Sequence, residues 1–210
     1  MHFNPDVYSS NLYSLLGHTF CQSIQQAAPK RQAEFLAGRH AARKSLAQLG
    51  LSQRQILVGK NRAPIWPCQV IGSISHTDRI AACAAIHAAD RLYLGLDLEN
   101  WLTTTVATDI CNNIVSPAEH KRLQATGFSI EQALTITFSA KESLFKALYP
   151  FVGDYFGFEA AEILHLDPKT GKIEMVLCQT LSADCRSGQI IYGYFQRKGW
   201  GVQTLVYGSL

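Results

Sequence analysis

The 210-residue sequence has little charge for its length and no tract biased towards a few residue types. Charged residues make up 17% of it, and the formal net charge is only +3. A field this weak does not drive binding to nucleic acid, although it does not repel an acidic protein or a phosphate-rich ligand. The hydrophobic fraction of 47% excludes a predominantly disordered chain and predicts a globular protein with a substantial core.

Paired cysteines and long apolar runs are also missing. None of the six cysteines has C-x-x-C spacing, so we expect reduced thiols and no disulfide framework. Residues 1–6 lack the basic and then apolar pattern of a signal peptide, and no apolar run is long enough to span a bilayer. We therefore expect a cytoplasmic protein without a transmembrane segment.

Several common functional motifs are absent as well. The sequence contains no Walker loop, no G-x-G-x-x-G, no zinc-finger spacing and no G-x-S-x-G elbow. Any catalytic function must be sought in other combinations of residues.

Helical and strand patterns occur in both halves of the sequence. In the first half, periodicity predicts a helix over 29–49 and strands over 55–59, 70–75, 80–86 and 91–99. In the second half, it predicts helices from 116 and over 139–149, and strands over 172–177, 189–195 and 201–207. We predict an α+β fold with two domains, 1–100 (first helix, hairpin and Asp-x-Glu strand) and 101–210 (Lys-Glu-Ser helix and C-terminal strands).

The predicted strand over 91–99 carries two acids, Asp97 and Glu99. Alternate strand residues face opposite sides, so the leucines at 92, 94, 96 and 98 should enter a core while Tyr93, Gly95 and the two acids face away. Two carboxylates on one strand, with a glycine leaving space beside them, suit Mg²⁺, which completes its shell with water and phosphate oxygens. A half-buried strand with a hydrated polar face is the structural alternative.

The segment Phe138-Ser-Ala-Lys-Glu-Ser-Leu-Phe-Lys146 has two interpretations. Ser139 and Glu142 have the spacing of a capping box, and Glu142 with Lys146 forms a favourable i, i+4 pair, so helix chemistry alone accounts for them. Alternatively, Glu142 and Lys146 face a metal and a phosphate together.

Polar and basic residues of the first half form two further candidates. Gly72-Ser-Ile-Ser75-His76 ends a predicted strand and supplies hydrogen-bond donors that suit a phosphate. Arg39 in the first helix, with Lys60 and Arg62 in a later loop, offers positive charge. A surface histidine and a solvated basic face are the structural alternatives.

Together and in order, these segments resemble the phosphopantetheinyl transferases of the siderophore-synthase (enterobactin) type, related to the surfactin-synthase-activating enzymes. The resemblance rests on residues 30–39, 61–67, 72–76, 95–99, 116–120 and 138–148. The Asp-x-Glu and Lys-Glu-Ser-x-x-Lys segments are the diagnostic pair of that family, and in combination they favour the functional interpretations. Where related enzymes have glycine-lysine-proline, this chain has Arg62-Ala63-Pro64, with the base displaced by one residue.

The resemblance implies a transferase that moves the 4′-phosphopantetheine group of coenzyme A to a serine of an acyl, peptidyl or aryl carrier protein. It implies two similar halves fused into a pseudo-symmetric, monomeric enzyme with its site at their interface. Asp97, Glu99 and Glu142 would hold Mg²⁺, and Glu142 and Lys146 would be catalytic. The residues implied to bind coenzyme A are Arg39, Lys60, Arg62, Ser75, His76 and Lys146.

Two other functions use the same residues. One is a different magnesium-dependent enzyme that cleaves a pyrophosphate, with water in place of the carrier serine. The other is a non-catalytic coenzyme A-binding protein, although such a protein would be expected to have lost an acid or the lysine. The physiological pathway, whether siderophore, nonribosomal peptide, fatty acid or polyketide synthesis, stays open.

Overall fold

The computed structural model describes residues 1–52 and 55–210. The polypeptide divides into two compact units, Met1–Asp90 and Arg91–Leu210, and each unit combines helices with antiparallel strands. The predicted α+β class, with an N-terminal and a C-terminal half, is confirmed at this level.

One long helix dominates the N-terminal unit. The helices of this unit are α1 (Asn11–Leu15), α2 (Gln22–Gln25) and α3 (Pro29–Gln48), with 3-10 turns at Pro5–Val7 and Lys60–Arg62. Pro29 occupies the first turn of α3, where its missing N–H would have no intrahelical partner in any case. Gly50, just beyond the helix, has a φ of 76°, a left-handed conformation that glycine adopts without steric cost. The predicted helix over 29–49 is confirmed to within one residue.

The strands of the N-terminal unit form two small antiparallel sheets. They are β1 (Leu57–Val58), β2 (Pro64–Ile65), β3 (Val70–His76) and β4 (Ala81–His87). Strands β3 and β4 make the predicted hairpin, with Val70 opposite His87 and His76 opposite Ala81. Helix α3 packs on this hairpin, and Gly38 permits close approach, since a Cβ there would lie 2.9 Å from Cγ2 of Ile74.

The C-terminal unit also contains three helices. They are α4 (Thr104–Ile114), α5 (Pro117–Gln124) and α6 (Ile130–Val152), and a 3-10 turn follows at Phe158–Ala160. Helix α4 lies where the sequence analysis predicts no element, because just Ala107 and Ile114 of its residues are buried and the apolar stripe is sparse. Helix α6 begins nine residues before the predicted start at 139 and continues past Pro150 to a left-handed Gly153.

Five antiparallel strands form the sheet of the C-terminal unit, in the order β5-β9-β8-β7-β6. They are β5 (Leu92–Asn100), β6 (Ala161–Leu166), β7 (Lys172–Leu177), β8 (Ile190–Arg197) and β9 (Gly201–Ser209). Strand β5 pairs with β9 along its whole length, from Leu92 opposite Ser209 to Asn100 opposite Gly201. This ladder satisfies the backbone of the Asp-x-Glu strand within the C-terminal sheet. The structure therefore divides the chain at Asp90/Arg91, earlier than the 100/101 boundary that the sequence predicts.

A buried ion pair ties three elements of this unit together. Ser116 caps α5 by accepting a hydrogen bond from the Glu119 amide. The Glu119 carboxylate does not return to the Ser116 amide as it would in a capping box. It accepts hydrogen bonds from Lys141 of α6 at 2.8 Å and from the Ile163 amide of β6 at 2.6 Å. Burial raises the pKa of Glu119, and the Lys141 charge opposes that rise.

None of the helices in the described ranges combines the length and the apolar character that a membrane crossing requires. The six cysteines are free thiols, as predicted.

Candidate active site

Strand β5 carries both acids of the Asp-x-Glu motif. Asp97 lies opposite Thr204 of β9 and is only 3% exposed, whereas Glu99, nearer the end of the strand, is half-buried. The expectation that one face of this strand enters a core while the acid face stays open is wrong. Tyr93 and Gly95, on the same face as the acids, are as buried as the leucines, because helix α6 covers that face.

Gly95 is needed for this close packing of α6 on β5. A Cβ at position 95 would lie 1.8 Å from the Ser143 carbonyl oxygen and 2.7 Å from the Ala147 amide nitrogen, closer than atoms can approach. The sequence suggested that this glycine leaves open space beside the acids, and the structure shows that it does not. It admits the helix backbone, and so brings the polar residues of α6 next to Asp97.

Helix α6 places Ser139 and Glu142 in its interior and not at its start. The N-cap is Ser129, whose side chain accepts a hydrogen bond from the Gln132 amide. The capping-box interpretation of Ser139 and Glu142 is therefore wrong. The apolar residues of the first turns explain the earlier start, since Ala133, Leu134 and Ile136 are fully buried.

Lys146 and Ser139 both contact the Asp97 carboxylate. The Lys146 ammonium donates to Oδ1 at 2.6 Å and to the Leu96 carbonyl oxygen at 3.3 Å. Ser139 donates to Oδ2 at 2.8 Å. The lysine side chain remains 27% exposed, whereas that of Asp97 is almost fully buried. The structure thus brings together two of the predicted site residues, Asp97 and Lys146.

The two remaining acids interact electrostatically with this pair. Burial raises the pKa of Glu99 to about 8; the Asp97 charge adds to the rise, Lys146 opposes it, and Glu142 adds further. Burial also raises the pKa of Glu142, where Lys146 opposes the rise and Asp97 adds to it. These mutual effects show that the three acids and the lysine form one electrostatic cluster, hereafter the acid–lysine cluster (Asp97, Glu99, Glu142 and Lys146).

In the part of the chain that the structure describes, no three or more His, Cys, Asp or Glu side chains are arranged as ligands of a single metal ion. The donor chemistry nevertheless suits a hard cation. Carboxylate oxygens are the ligands that Mg²⁺ prefers, and it is commonly held by one or two carboxylates together with water and phosphate oxygens. The metal set Asp97, Glu99 and Glu142 stays a prediction.

A cavity of about 320 Å³ in the N-terminal unit contains part of the predicted coenzyme A set. Arg39, Arg62 and His76 line it, together with Arg31 and Glu34. The Arg39 side chain is buried with its guanidinium carbon 4.8 Å from the centre of the Phe35 ring, and its Nη1 has no hydrogen-bond partner among the described residues. An unpaired buried guanidinium nitrogen is a natural contact for an anion.

The other two predicted phosphate contacts lie differently. Ser75 is 5% exposed and, by the alternation of β3, faces away from His76, so it is absent from the described lining of this cavity. Lys60 is exposed in its 3-10 turn and is absent from that lining too. The family resemblance implies that all five residues bind coenzyme A, and the described lining of this cavity groups three of them.

Two features of these sites lie outside the predicted coenzyme A and metal sets. Arg31, one of the basic residues that open the first helix, belongs to the cavity, and its Nη1 lies 2.7 Å from Nε2 of His76. An aromatic cluster surrounds Phe145, with ring centres 5.1–5.6 Å from Tyr149, Tyr155 and Phe156. Phe145 directly precedes Lys146 on α6.

The fold and the acid–lysine cluster define the class of protein. An α+β chain in two units, with acids and a lysine converging on one strand–helix contact, is suited to neutralising and positioning phosphate groups. Comparison with known families gives the same class. Residues 21–86 match the model of the 4′-phosphopantetheinyl transferase N-terminal domain, and residues 93–200 match that of the 4′-phosphopantetheinyl transferase superfamily. The chain belongs to the 4′-phosphopantetheinyl transferase superfamily.

Individual relatives agree with this assignment. Enterobactin synthase component D of Escherichia coli O157:H7 is 42% identical over 124 residues, and the match covers 59% of this chain and 58% of the relative. The protein of the same name from Salmonella typhi is 34% identical over 96% of this chain and 82% of its own length. The 4′-phosphopantetheinyl transferase Svp of Streptomyces mobaraensis is 35% identical over 75% of this chain and 64% of its own.

Proposed function

We propose that this protein transfers the 4′-phosphopantetheine group from coenzyme A to a serine of an apo carrier protein and releases 3′,5′-ADP. The observation that carries the proposal is the contact between Lys146 and Asp97, electrostatically coupled to Glu99 and Glu142, on the strand and helix that the superfamily model matches. In this reaction the serine oxygen forms a bond to the phosphorus that bears pantetheine. The bond from that phosphorus to the bridging oxygen of the pyrophosphate breaks.

The acid–lysine cluster would bind the pyrophosphate. Lys146, whose side chain is partly exposed, would donate to a phosphate oxygen while it remains close to Asp97. Asp97, Glu99 and Glu142 would hold Mg²⁺, which when bound supplies charge neutralisation for the pyrophosphate and its leaving group. Burial, and then repulsion from Asp97 and Glu142, raises the pKa of Glu99, and a cation at this position would relieve the repulsion.

Glu142 would accept the proton of the attacking serine. Burial raises its pKa above the ordinary value, and a base whose pKa lies closer to the working pH is more effective in proton transfer. Its helix position does not require it as a cap, because Ser129 fills that role. Glu142 is therefore available for chemistry.

The nucleotide part of coenzyme A would be bound by the N-terminal unit. Arg39, Arg62 and His76 line a cavity with positive character, and Arg39 has an unpaired buried nitrogen suited to the 3′-phosphate. Lys60 and Ser75 stay proposed contacts of the same molecule. One coenzyme A carries both a 3′-phosphate and a pyrophosphate, so we propose that two related halves, acting in a monomer, share one substrate. A cytoplasmic location, where coenzyme A is found, accords with this function.

The deciding experiment is intact mass spectrometry of apo carrier proteins after incubation with this protein, coenzyme A and Mg²⁺. An aryl or peptidyl carrier of a siderophore synthase is the first acceptor to test, since several relatives are named as components of enterobactin synthase. The carrier should gain the mass of one phosphopantetheine group, and its serine-to-alanine variant should not.

Two results would favour the alternatives. Cleavage of coenzyme A without carrier modification would indicate a pyrophosphate-cleaving hydrolase. Binding of coenzyme A with neither cleavage nor transfer, across acyl, peptidyl and aryl carriers, would indicate a non-catalytic binding protein. The variant Asp97→Asn is the matched negative control, because the amide oxygen can still accept the Ser139 hydrogen bond while the charge is lost.

A further inference from the structure

Three buried hydroxyl groups lie between Asp97 and the interior of the C-terminal unit. Thr204 is the cross-strand neighbour of Asp97, so the two side chains share the face of the sheet that α6 covers. Ser139 and Ser143 are one helical turn apart on α6 and therefore face the same strands. The three hydroxyl-bearing residues have 0% exposure, which removes competition from solvent.

The distances define a continuous chain of hydrogen bonds. Ser139 Oγ lies 2.8 Å from Asp97 Oδ2 and 2.8 Å from Thr204 Oγ1. Ser143 Oγ lies 2.7 Å from Thr204 Oγ1 and 3.1 Å from the Thr204 carbonyl oxygen. Thr204 Oγ1 also lies 2.8 Å from the Ser139 carbonyl oxygen.

Counting protons gives the chain a direction. An ionised Asp97 can only accept, so the single hydroxyl proton of Ser139 points to Oδ2. Ser139 Oγ can then only accept from Thr204, whose proton goes either to that oxygen or to the Ser139 carbonyl oxygen. Ser143 in turn can donate to Thr204. Every proton in the chain can thus be donated towards the carboxylate, an arrangement in which each bond polarises the next.

We propose that Ser139, Thr204 and Ser143 are positioning residues that hold the Asp97 carboxylate in the orientation needed for magnesium and pyrophosphate. This inference rests on the proposed function, because it assigns the three hydroxyls to the same site. With Oδ2 held by Ser139 and Oδ1 near Lys146, rotation of the carboxylate would break a buried hydrogen bond and an ion pair together. Groups that orient a metal ligand in this way typically influence metal affinity by about 10- to 100-fold.

The test replaces Thr204 with a residue of the same shape that cannot hydrogen-bond. Thr204→Val should raise the Mg²⁺ concentration for half-maximal carrier modification by roughly tenfold, with much of the rate recovered at excess Mg²⁺. It should also reduce the rise in melting temperature that MgCl₂ alone produces, a measurement independent of turnover. Thr204→Ser keeps the hydroxyl and should restore a magnesium requirement close to wild type.

Thr137→Val is the matched control, since it makes the same exchange at a 0% exposed site on α6 where, among the described residues, the hydroxyl has no partner. Its magnesium requirement should not change. A Thr204→Val protein with a wild-type requirement, even if less stable, would overturn the proposal. If Thr204→Val does not fold, Ser143→Ala removes the far end of the chain, and an unchanged magnesium requirement there would overturn the proposal equally.

A wild-type protein that modifies no carrier would contradict the proposed function. The magnesium-induced melting shift of Thr204→Val against wild type would still decide on the hydroxyl chain, and equal shifts would overturn it.

Discussion

The candidate sites of the two units carry excess charge of opposite sign. The cavity of the N-terminal unit gathers Arg31, Arg39, Arg62 and His76, with Glu34 as the acid in its described lining. The C-terminal unit gathers three acids with one lysine, and there burial and like charge raise the pKa of Glu99 to about 8. In each unit an excess of one sign is held partly out of water. Such a site costs folding free energy and is relieved by a ligand of the opposite charge.

The Glu119–Lys141 pair shows what the C-terminal unit does where no ligand is needed. Both side chains are almost fully buried, and the Lys141 ammonium also donates to the Ile114 and Phe158 carbonyl oxygens. The charges and hydrogen bonds of the Glu119–Lys141 pair are matched within the protein. The difference separates neighbouring helix residues: Lys141 forms a matched buried pair, whereas Glu142 and Lys146 belong to a cluster in which three acids share one lysine.

The largest effect on stability is expected from Lys141→Met. The substitution leaves Glu119 buried without its counter-ion, which typically costs about 3–5 kcal/mol of unfolding free energy. Urea unfolding measures it, and adding Glu119→Leu to the variant should recover much of the loss. A stable Lys141→Met protein that had lost transfer would place Lys141 in the active site and erase the distinction drawn here.

Glu142→Gln should greatly reduce transfer and leave stability almost unchanged. Glutamine keeps the shape but loses the charge and the ability to accept a proton, so carrier modification should fall by at least about 100-fold. The melting temperature should stay close to wild type, because Glu142 does not cap the helix and its burial as a carboxylate is unfavourable. Early melting with normal transfer per folded molecule would show that the residue is structural.

The sequence predicted elements well where apolar periodicity was strong, and it predicted the family from two motifs taken together. Helix α3, the β3–β4 hairpin and strand β7 lie close to their predicted bounds. Helix α4 was missed because few of its residues are buried, and the start of α6 was missed because Ser139 and Glu142 imitate a cap. Local chemistry cannot distinguish an N-cap from a buried serine that donates to an acid on another strand.

The arrangement of the candidate site was predictable only in part. The motifs identified Asp97, Glu99, Glu142 and Lys146, but the role of Gly95 depends on where α6 packs, which no local pattern reveals. The contribution of Thr204 likewise depends on the register of β5 against β9, which is set by the whole sheet.

Arg39→Ala tests the cationic cavity of the N-terminal unit and should moderately weaken coenzyme A binding. Loss of a charged hydrogen bond to the 3′-phosphate should raise the KM for coenzyme A by roughly tenfold with little change in kcat. The deficit should shrink with dephospho-coenzyme A, which lacks that phosphate. Arg43→Ala is the control, since Arg43 donates to the Leu16 carbonyl oxygen and is absent from the described lining of this cavity. Equal losses of Arg39→Ala with both donors would remove Arg39 from the 3′-phosphate site.

The last prediction concerns pH, and the change of stability with pH should have opposite signs in the two units. Burial, with the charges of Arg43, His40 and Arg39, lowers the pKa of His18 from 6.5 to about 4. The unfolded chain therefore binds a proton that the folded chain resists, and stability is lost as the pH falls from about 6.5 to about 4. His18→Gln should lose less stability than wild type over that interval.

For Glu99, the raised pKa means that the folded chain keeps its proton to a higher pH than the unfolded chain does. Stability therefore falls as the pH rises from 4.5 to about 8. Glu99→Gln should remove this alkaline loss, and Mg²⁺ should reduce it in the wild type. Melting temperatures across the two intervals measure both effects, and a His18→Gln variant that follows wild type at acid pH would show that the histidine is not held neutral by its surroundings.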